Sequence, residues 1–328
     1  MHILVIGAAG MVGRKLIDRL VHDGRLGPDA IKCLTSFDVV KAAAPAGAPF
    51  ECRVFAGDLA TPGQAERLVA KRPDVIFHLA AIVSGEAEAD FEKGYRINLD
   101  GTRAIFEAIR LSGQDYTPRV IFTSSIAVFG APFPEGRIHD EFHTTPLTSY
   151  GTQKAIGELL LADYSRRGFF DGVGIRLPTI CVRPGKPNKA ASGFFSGIIR
   201  EPLNGQEAVL PVADTVRHWH ASPRAAVGFL IHAATMDTAR LGARRSVTMP
   251  GLSATVAEQI EALRRVAGDR VAGLIRREPD PTVTRIVAGW SENFDAARAR
   301  ELGFQAETSF DEIIRVYIDD ELGGRVPS

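Results

Sequence analysis

Along the first half of the chain, short apolar runs alternate with segments whose apolar residues recur every third or fourth position. The first run, Ile3 to Ile6, reads as a strand. The segment after it, Met11 to Val21, sets Val12, Leu16, Ile17 and Leu20 at helical spacing. Further strands are predicted near Ile31 to Phe37, Arg53 to Ala56, Val75 to Leu79, Arg119 to Thr123 and Val173 to Leu177. Helices are predicted near Gln64 to Ala70, Asn98 to Leu111 and Tyr150 to Arg166. Apart from His78, the run Val75 to Leu79 is apolar throughout rather than alternating, as expected of a strand covered on both faces. Strand–helix alternation of this kind predicts an α/β fold built on a doubly wound parallel sheet.

After Pro178 the texture changes, with Pro184, Gly185, Pro187, Pro202 and Pro211 punctuating short segments. Helical spacing returns over Ala225 to Ala234, Ala254 to Val266 and Asp295 to Leu302, and Ser246 to Met249 reads as a strand. These shifts divide the chain into a larger unit, residues 1–178 with 220–250 returning to it, and a smaller C-terminal lobe formed by 179–219 and 251–328. The larger unit is expected to hold a cofactor and the smaller lobe a substrate.

Composition narrows the function classes. Among 328 residues, 39 Lys and Arg balance 39 Asp and Glu, so no basic excess points to nucleic acid or an anionic membrane surface. Cys33, Cys52 and Cys181 are too few and too far apart for a disulfide framework or a CxxC metal pair, which suits a reducing compartment. The N-terminus lacks the basic start and long apolar stretch of a signal peptide, and no segment reaches the ~20 apolar residues that cross a bilayer. A soluble, cytoplasmic protein is expected.

Gly7-Ala8-Ala9-Gly10-Met11-Val12-Gly13 follows the first strand directly and opens the first helix. Such a turn lets the backbone approach a pyrophosphate, and the helix start offers free N–H groups. Asp38 ends the second strand, where a carboxylate accepts hydrogen bonds from the adenosine ribose and repels a 2′-phosphate. The cofactor is therefore expected to be NAD. Asp58, within Gly57-Asp58-Leu59, is placed to meet the adenine amine.

Tyr150 and Lys154 stand four apart on a helix and share a face. Free tyrosine titrates near ~10, and a neighbouring ammonium or an oxidised nicotinamide favours its phenolate, which makes a general base. Ser124 and Ser125 end the strand Val120 to Thr123, and residues beyond strand C-termini face the ligand of an open α/β sheet. A serine there holds the reacting oxygen near the tyrosine.

In their order and spacing these motifs resemble the extended short-chain dehydrogenase/reductase family over nearly the full chain. The resemblance rests on Gly7xxGly10xxGly13, Asp38, Asp58-Leu59, His78-Leu79-Ala80-Ala81, Asn98xxGly101-Thr102, Ser124-Ser125…Val128-Phe129-Gly130 and Tyr150xxxLys154. It implies a Rossmann fold and makes Ser125, Tyr150 and Lys154 the catalytic set, with Ser124 in support. It also implies that the Met11 and Val12 N–H groups meet the pyrophosphate and that Leu79, Ala80 and Ala81 line the cofactor. Asn98 braces that region, Pro178 and Thr179 sit by the nicotinamide, and Lys154 bonds its ribose. Two helices, Asn98 to Leu111 and Tyr150 to Arg166, are implied to pair in a homodimer. Ile6 replaces a common threonine before the first glycine, and Phe129 a common tyrosine.

Within the family, three segments, His78 to Glu88, Arg176 to Gly185 and Arg217 to Pro223, resemble the branch acting on four-carbon acid sugars. The last replaces the acidic run of nucleotide-sugar enzymes. The branch implies NAD-dependent oxidation of a small sugar acid, D-erythronate at C2, to 2-dehydro-D-erythronate. A carboxylate substrate needs a cationic anchor, for which Arg183, Lys189 and Arg217 are candidates. Ser84, Asn188 and His143 are candidates for bonding its hydroxyls. The alternatives are a uronate dehydrogenase, a nucleotide-sugar epimerase, or a dinucleotide-sensing regulator without catalysis, which would need neither Tyr150 nor Lys154. The pair His139 and His143 lacks the HExxH glutamate position, and no metal is expected. No GxSxG elbow supports a hydrolase.

Overall fold

A computed structural model describes residues 1–185 and 191–326. Strands β1 (His2–Ile6), β2 (Cys33–Asp38), β3 (Glu51–Ala56), β4 (Val75–His78), β5 (Arg119–Ser125) and β6 (Asp171–Leu177) build the main sheet. Two short strands follow, β7 (Thr179–Ile180) and β8 (Arg217–Ala221), then β9 (Ser246–Thr248) and β10 (Leu252–Thr255). The main sheet has seven strands in the order β9-β6-β5-β4-β1-β2-β3, all parallel. The order reverses at β1, and there β1 and β4 run into the loops that make the site.

Alternation along β1 explains why its run Ile3 to Ile6 lacks polar residues. Ile3 and Val5 enter one apolar cluster with Leu16, Leu20, Phe229 and Leu230 of the covering helices. Leu4 and Ile6 enter the opposite one with Ile105, Phe106, Ile109 and Leu161. With both faces covered, polar positions have no solvent side to occupy.

Of the helices, α1 (Met11–Asp23), α2 (Gly101–Leu111), α3 (Ser149–Arg166), α4 (Gly193–Leu203), α5 (Pro223–Thr235), α6 (Val256–Ala267) and α7 (Phe310–Leu322) are the longest. A π-helical turn over Tyr95–Asp100 precedes α2, so the helix expected from Asn98 opens with a wider winding. Helices α4, α6 and α7 enclose a third cluster around Phe195, Ile198, Leu263 and Ile314. A small sheet in the order β10-β8-β7 lies beside it, β8 running antiparallel to β10 and parallel to β7. Helices α4 and α7 are not among those the apolar pattern predicts. No helix among the described residues is long and apolar enough to cross a membrane.

Candidate active site

The turn after β1 is tight because its glycines leave no alternative. A Cβ built on Gly13 would stand 2.2 Å from the Gly7 carbonyl oxygen, so any side chain there would push α1 off the loop. Gly10 precedes α1 without a side-chain cap, and no acidic residue occupies the first turn, so the leading N–H groups of α1 stay available to an anion. The Asp38 Oδ2 accepts the Ala9 N–H at 2.9 Å, which ties the end of β2 to the loop. Asp38 thus stands beside the glycine turn. A loop shaped this way and flanked by a carboxylate fits a dinucleotide.

A cleft of about 410 Å³ opens from this turn across the C-terminal ends of the strands. Its lining brings together Gly7, Gly10, Met11, Val12, Gly13, Leu79, Ala81, Ser84, Ser125, Tyr150, Lys154, Pro178, Thr179 and Arg183, all singled out from the sequence. Ala80 packs against the Gly7 backbone. Asp38, Asp58, Leu59 and Asn98 are not among the lining residues. Asp58 accepts the Ala60 N–H at 2.9 Å and pairs with Arg96, while Leu59 is buried in the core. Asn98 is fully buried, accepts the Ile82 N–H at 2.9 Å and donates to Gln153 at 2.8 Å, so it braces the segment after β4.

Helix α3 presents Tyr150 and Lys154. Thr148 caps it by accepting the Gly151 N–H at 3.1 Å. Gly151 lets it approach the strand end, because a Cβ there would lie 2.2 Å from the Ala127 carbonyl oxygen. The Ser125 hydroxyl hydrogen-bonds Tyr150, and its oxygen also accepts the Ala127 N–H at 3.1 Å. The buried Lys154 Nζ donates to the Thr123 carbonyl at 2.8 Å and lies 5.8 Å from the Tyr150 ring centre. Burial pushes the Tyr150 hydroxyl up to about 12, the Ser125 bond opposing it. Burial also draws the Lys154 ammonium down to about 8, against the pull of Glu158. In the protein alone, then, desolvation outweighs the ammonium that was expected to acidify the phenol. The Lys154 ammonium gives its hydrogen bond to a carbonyl rather than to the phenol.

Glu158, one turn after Lys154, holds the rear of the site and belongs to no motif read from the sequence. It accepts the Ser124 hydroxyl at 2.5 Å and takes Arg176 bidentately, Nε at 2.9 Å and Nη2 at 2.8 Å. Both serines belong to the cleft lining, but the Ser124 hydroxyl is committed to Glu158, while that of Ser125 bonds Tyr150.

The substrate candidates separate. Arg183 lines the cleft, donates to Ser192 Oγ at 3.0 Å and has no carboxylate partner among the described residues. Burial lowers its pKa from the ordinary arginine value. Arg217 does not line the cleft. Residues alternate along β8, so its side chain leaves on the face opposite His218 and binds Ser253 and Glu258. His218 takes the cleft position instead, between Thr179 Oγ1 at 2.7 Å and the Ser291 carbonyl at 3.0 Å. His143 does not line the cleft either, and Asn188 and Lys189 lie outside the described residues. Trp290 and Ser291 complete the wall from a segment with no sequence motif. Among the described residues no group of three or more His, Cys, Asp or Glu is placed to hold a metal.

Comparison with known proteins agrees with this geometry. The NAD dependent epimerase/dehydratase family matches over residues 3–232. The chain is 51% identical to D-erythronate dehydrogenase of Cupriavidus necator over 98% of each chain. It is 41% identical to D-erythronate dehydrogenase of Haemophilus influenzae, covering 98% of this chain and 100% of that one. The crystal structure of the nucleoside-diphosphate-sugar epimerase from Agrobacterium tumefaciens superposes with a TM-score of 0.97 at 68% identity, covering 100% of this chain and 96% of that chain. With a glycine turn shaped for a dinucleotide and these relatives, the chain is an NAD-dependent oxidoreductase belonging to the NAD dependent epimerase/dehydratase family.

Proposed function

We propose that the protein oxidises a small sugar acid with NAD, D-erythronate at C2 to 2-dehydro-D-erythronate. Residues 1–178 with 220–250 hold the cofactor in this reading, and 179–219 with 251–328 hold the substrate. The observation that carries the substrate class is Arg183, a guanidinium in the cleft wall without a carboxylate of its own among the described residues. A substrate carboxylate supplies the missing partner through a charge-assisted, bidentate contact. Thr179, held in place by His218, and Ser84 offer hydrogen bonds to the hydroxyls of a short polyol. The names of the two relatives above support the same acid.

The residues divide the work. Ser125 holds the C2 oxygen by a hydrogen bond, and Tyr150 takes the hydroxyl proton. When bound, NAD supplies the acceptor for the hydride that leaves C2. Tyr150 as phenolate would take the hydroxyl proton and bound NAD would supply the acceptor for the electron pair of the C2–H bond, which balances the oxidation. Two positive charges favour the phenolate and so offset burial: Lys154 and the oxidised ring. Leu147, Phe129 and Trp290 line the cleft and keep water from the reacting carbon. The N–H groups of Met11 and Val12 hold the pyrophosphate, and Asp38 the adenosine ribose.

One experiment decides among substrates. A panel of C4 to C6 aldonic and uronic acids is offered with NAD and with NADP, and reduced cofactor is followed by absorbance. The expected outcome is turnover of D-erythronate with NAD, little with NADP, and loss of about 10³-fold in kcat for Tyr150→Phe with NAD affinity kept. The name of the Agrobacterium relative supports a second reading, epimerisation of a nucleotide sugar. Product epimer without net reduced cofactor would select it. The pairing of α2 and α3 with their copies in a homodimer is part of the same proposal. Leu111 and Leu159 are 67% and 69% exposed on these helices, and light scattering should return twice the chain mass.

A further inference from the structure

Strand β8 has two faces, and only one belongs to the cleft. On the other, beside Arg217 and Trp219, a second cavity of about 390 Å³ opens. Three arginines from separate segments converge on it: Arg137 before the bridge residue Ile138, Arg217 on β8, and Arg300 on the helix Ala297–Glu301. Asn293 and Ser253 add polar groups, and Trp219 forms part of the floor.

The segments that carry these residues are fixed. Ile138 pairs with Phe294 as a bridge, its N–H donating to the Asn293 carbonyl at 3.1 Å, and the Asp295 N–H returns to Ile138 at 2.9 Å. Trp219 pairs with Ser253 across the antiparallel strands, and its indole N–H donates to the Met249 carbonyl at 3.2 Å. Two of the three guanidinium groups, by contrast, are left open. Those of Arg137 and Arg300 have no side-chain or backbone partner among the described residues. Arg217 gives Nη1 to the Ser253 carbonyl at 3.2 Å and keeps Nη2 3.3 Å from Glu258. No carboxylate belongs to the cavity lining. Other surface arginines are neutralised locally, as Arg276 is by Glu207 and Arg277 by Asp214. Glu258 offsets the charge of Arg217 from outside the lining, but those of Arg137 and Arg300 have no counter-charge among the described residues; like charges brought together repel, and a bound anion removes that repulsion.

We propose that this cavity is a second ligand site, separate from the catalytic cleft, for a small oxyanion carrying two or more negative charges. Phosphate groups and polycarboxylates share the required chemistry, flat or tetrahedral arrays of oxygens that guanidinium forks grip. The site does not depend on which substrate the cleft takes.

The test uses the full chain and thermal melts with inorganic phosphate, pyrophosphate or citrate, each against sodium chloride of equal ionic strength. Each is run without NAD and with saturating NAD, which occupies the glycine turn of the cleft. The expected result is a saturable rise of about 3 °C with at least one of the three anions and not with chloride. The anion that acts at lowest concentration distinguishes phosphate from polycarboxylate. The double variant Arg137→Ala/Arg300→Ala touches no partner among the described residues and should keep its fold and its turnover, while the anion binds about 10-fold more weakly. The proposal is overturned if no anion exceeds chloride, if saturating NAD abolishes the rise, or if the double variant responds as the wild type does.

Discussion

Lys154 shows what the site costs. Its ammonium is buried, and burial draws its pKa from 10.5 down to about 8. The unfolded chain binds this proton more tightly than the folded one, so the folded state is penalised fully below about pH 8. The penalty shrinks as pH rises towards 10.5. The shift corresponds to roughly 3 kcal/mol, from which loss of the bond to the Thr123 carbonyl takes back about 1 kcal/mol. Lys154→Met should therefore lose turnover yet melt about 3 °C higher than the wild type at pH 7. Melting curves from pH 7 to 10 should show the two proteins converging, and a gap independent of pH would contradict this account. Residues of this kind were legible because a Tyr and a Lys four apart carry their chemistry in their spacing. Arg217 was not. Its charge recommended it for a carboxylate, but a strand sends neighbours to opposite faces, and only the fold shows that His218 holds the cleft side.

The glycine turn makes the corresponding argument for an element. A Cβ on Gly13 would lie 2.2 Å from the Gly7 carbonyl oxygen, whereas one on Gly10 would lie 3.3 Å from the same atom. The first distance forces backbone movement and the second asks for a few tenths of an ångström. Gly13→Ala should accordingly destabilise by about 2 kcal/mol and weaken NAD at least ~10-fold, by urea titration and by cofactor fluorescence titration. Gly10→Ala should lose less than half as much stability. Equal losses would show that loop geometry does not set the order. The turn and its flanking strands could be read in advance because one steric demand fixes both residue type and position. Helices α4 and α7 could not. The first lies among prolines and ends with Pro202 inside its last turn, which reads as irregular structure. In α7, Ser309 caps the helix by accepting the Glu312 N–H at 3.3 Å, a signal present in the sequence but without a motif nearby to draw attention to it.

At the scale of the molecule, three buried imidazoles link stability to pH. Burial lowers the pKa of His78 to about 3 and of His218 to about 4, and that of His220 well below 6.5. Two of them form the seam between the small sheet and the third apolar cluster. His218 stacks on Phe195 at 5.3 Å between ring centres, and His220 meets Phe195 at 4.8 Å and Phe310 at 5.5 Å. Each folded-state pKa lies below the unfolded value, so stability is present above pH 6.5 and is lost as pH falls from there towards 4. With three such groups the slope should reach about 4 kcal/mol per pH unit. Urea titrations from pH 7.5 to 5 should find this loss beginning near 6.5. His218→Asn should make the slope shallower by about 1.4 kcal/mol per unit, the share of one proton. An unchanged slope would place the acid sensitivity in carboxylates instead. The seam histidines also bear on the cleft, because protonating His218 adds a donor where Nε2 now meets the Thr179 hydroxyl. Acid should thus disturb this wall of the cleft before it reaches the glycine turn, which holds no histidine, and NAD binding should outlast turnover as pH is lowered.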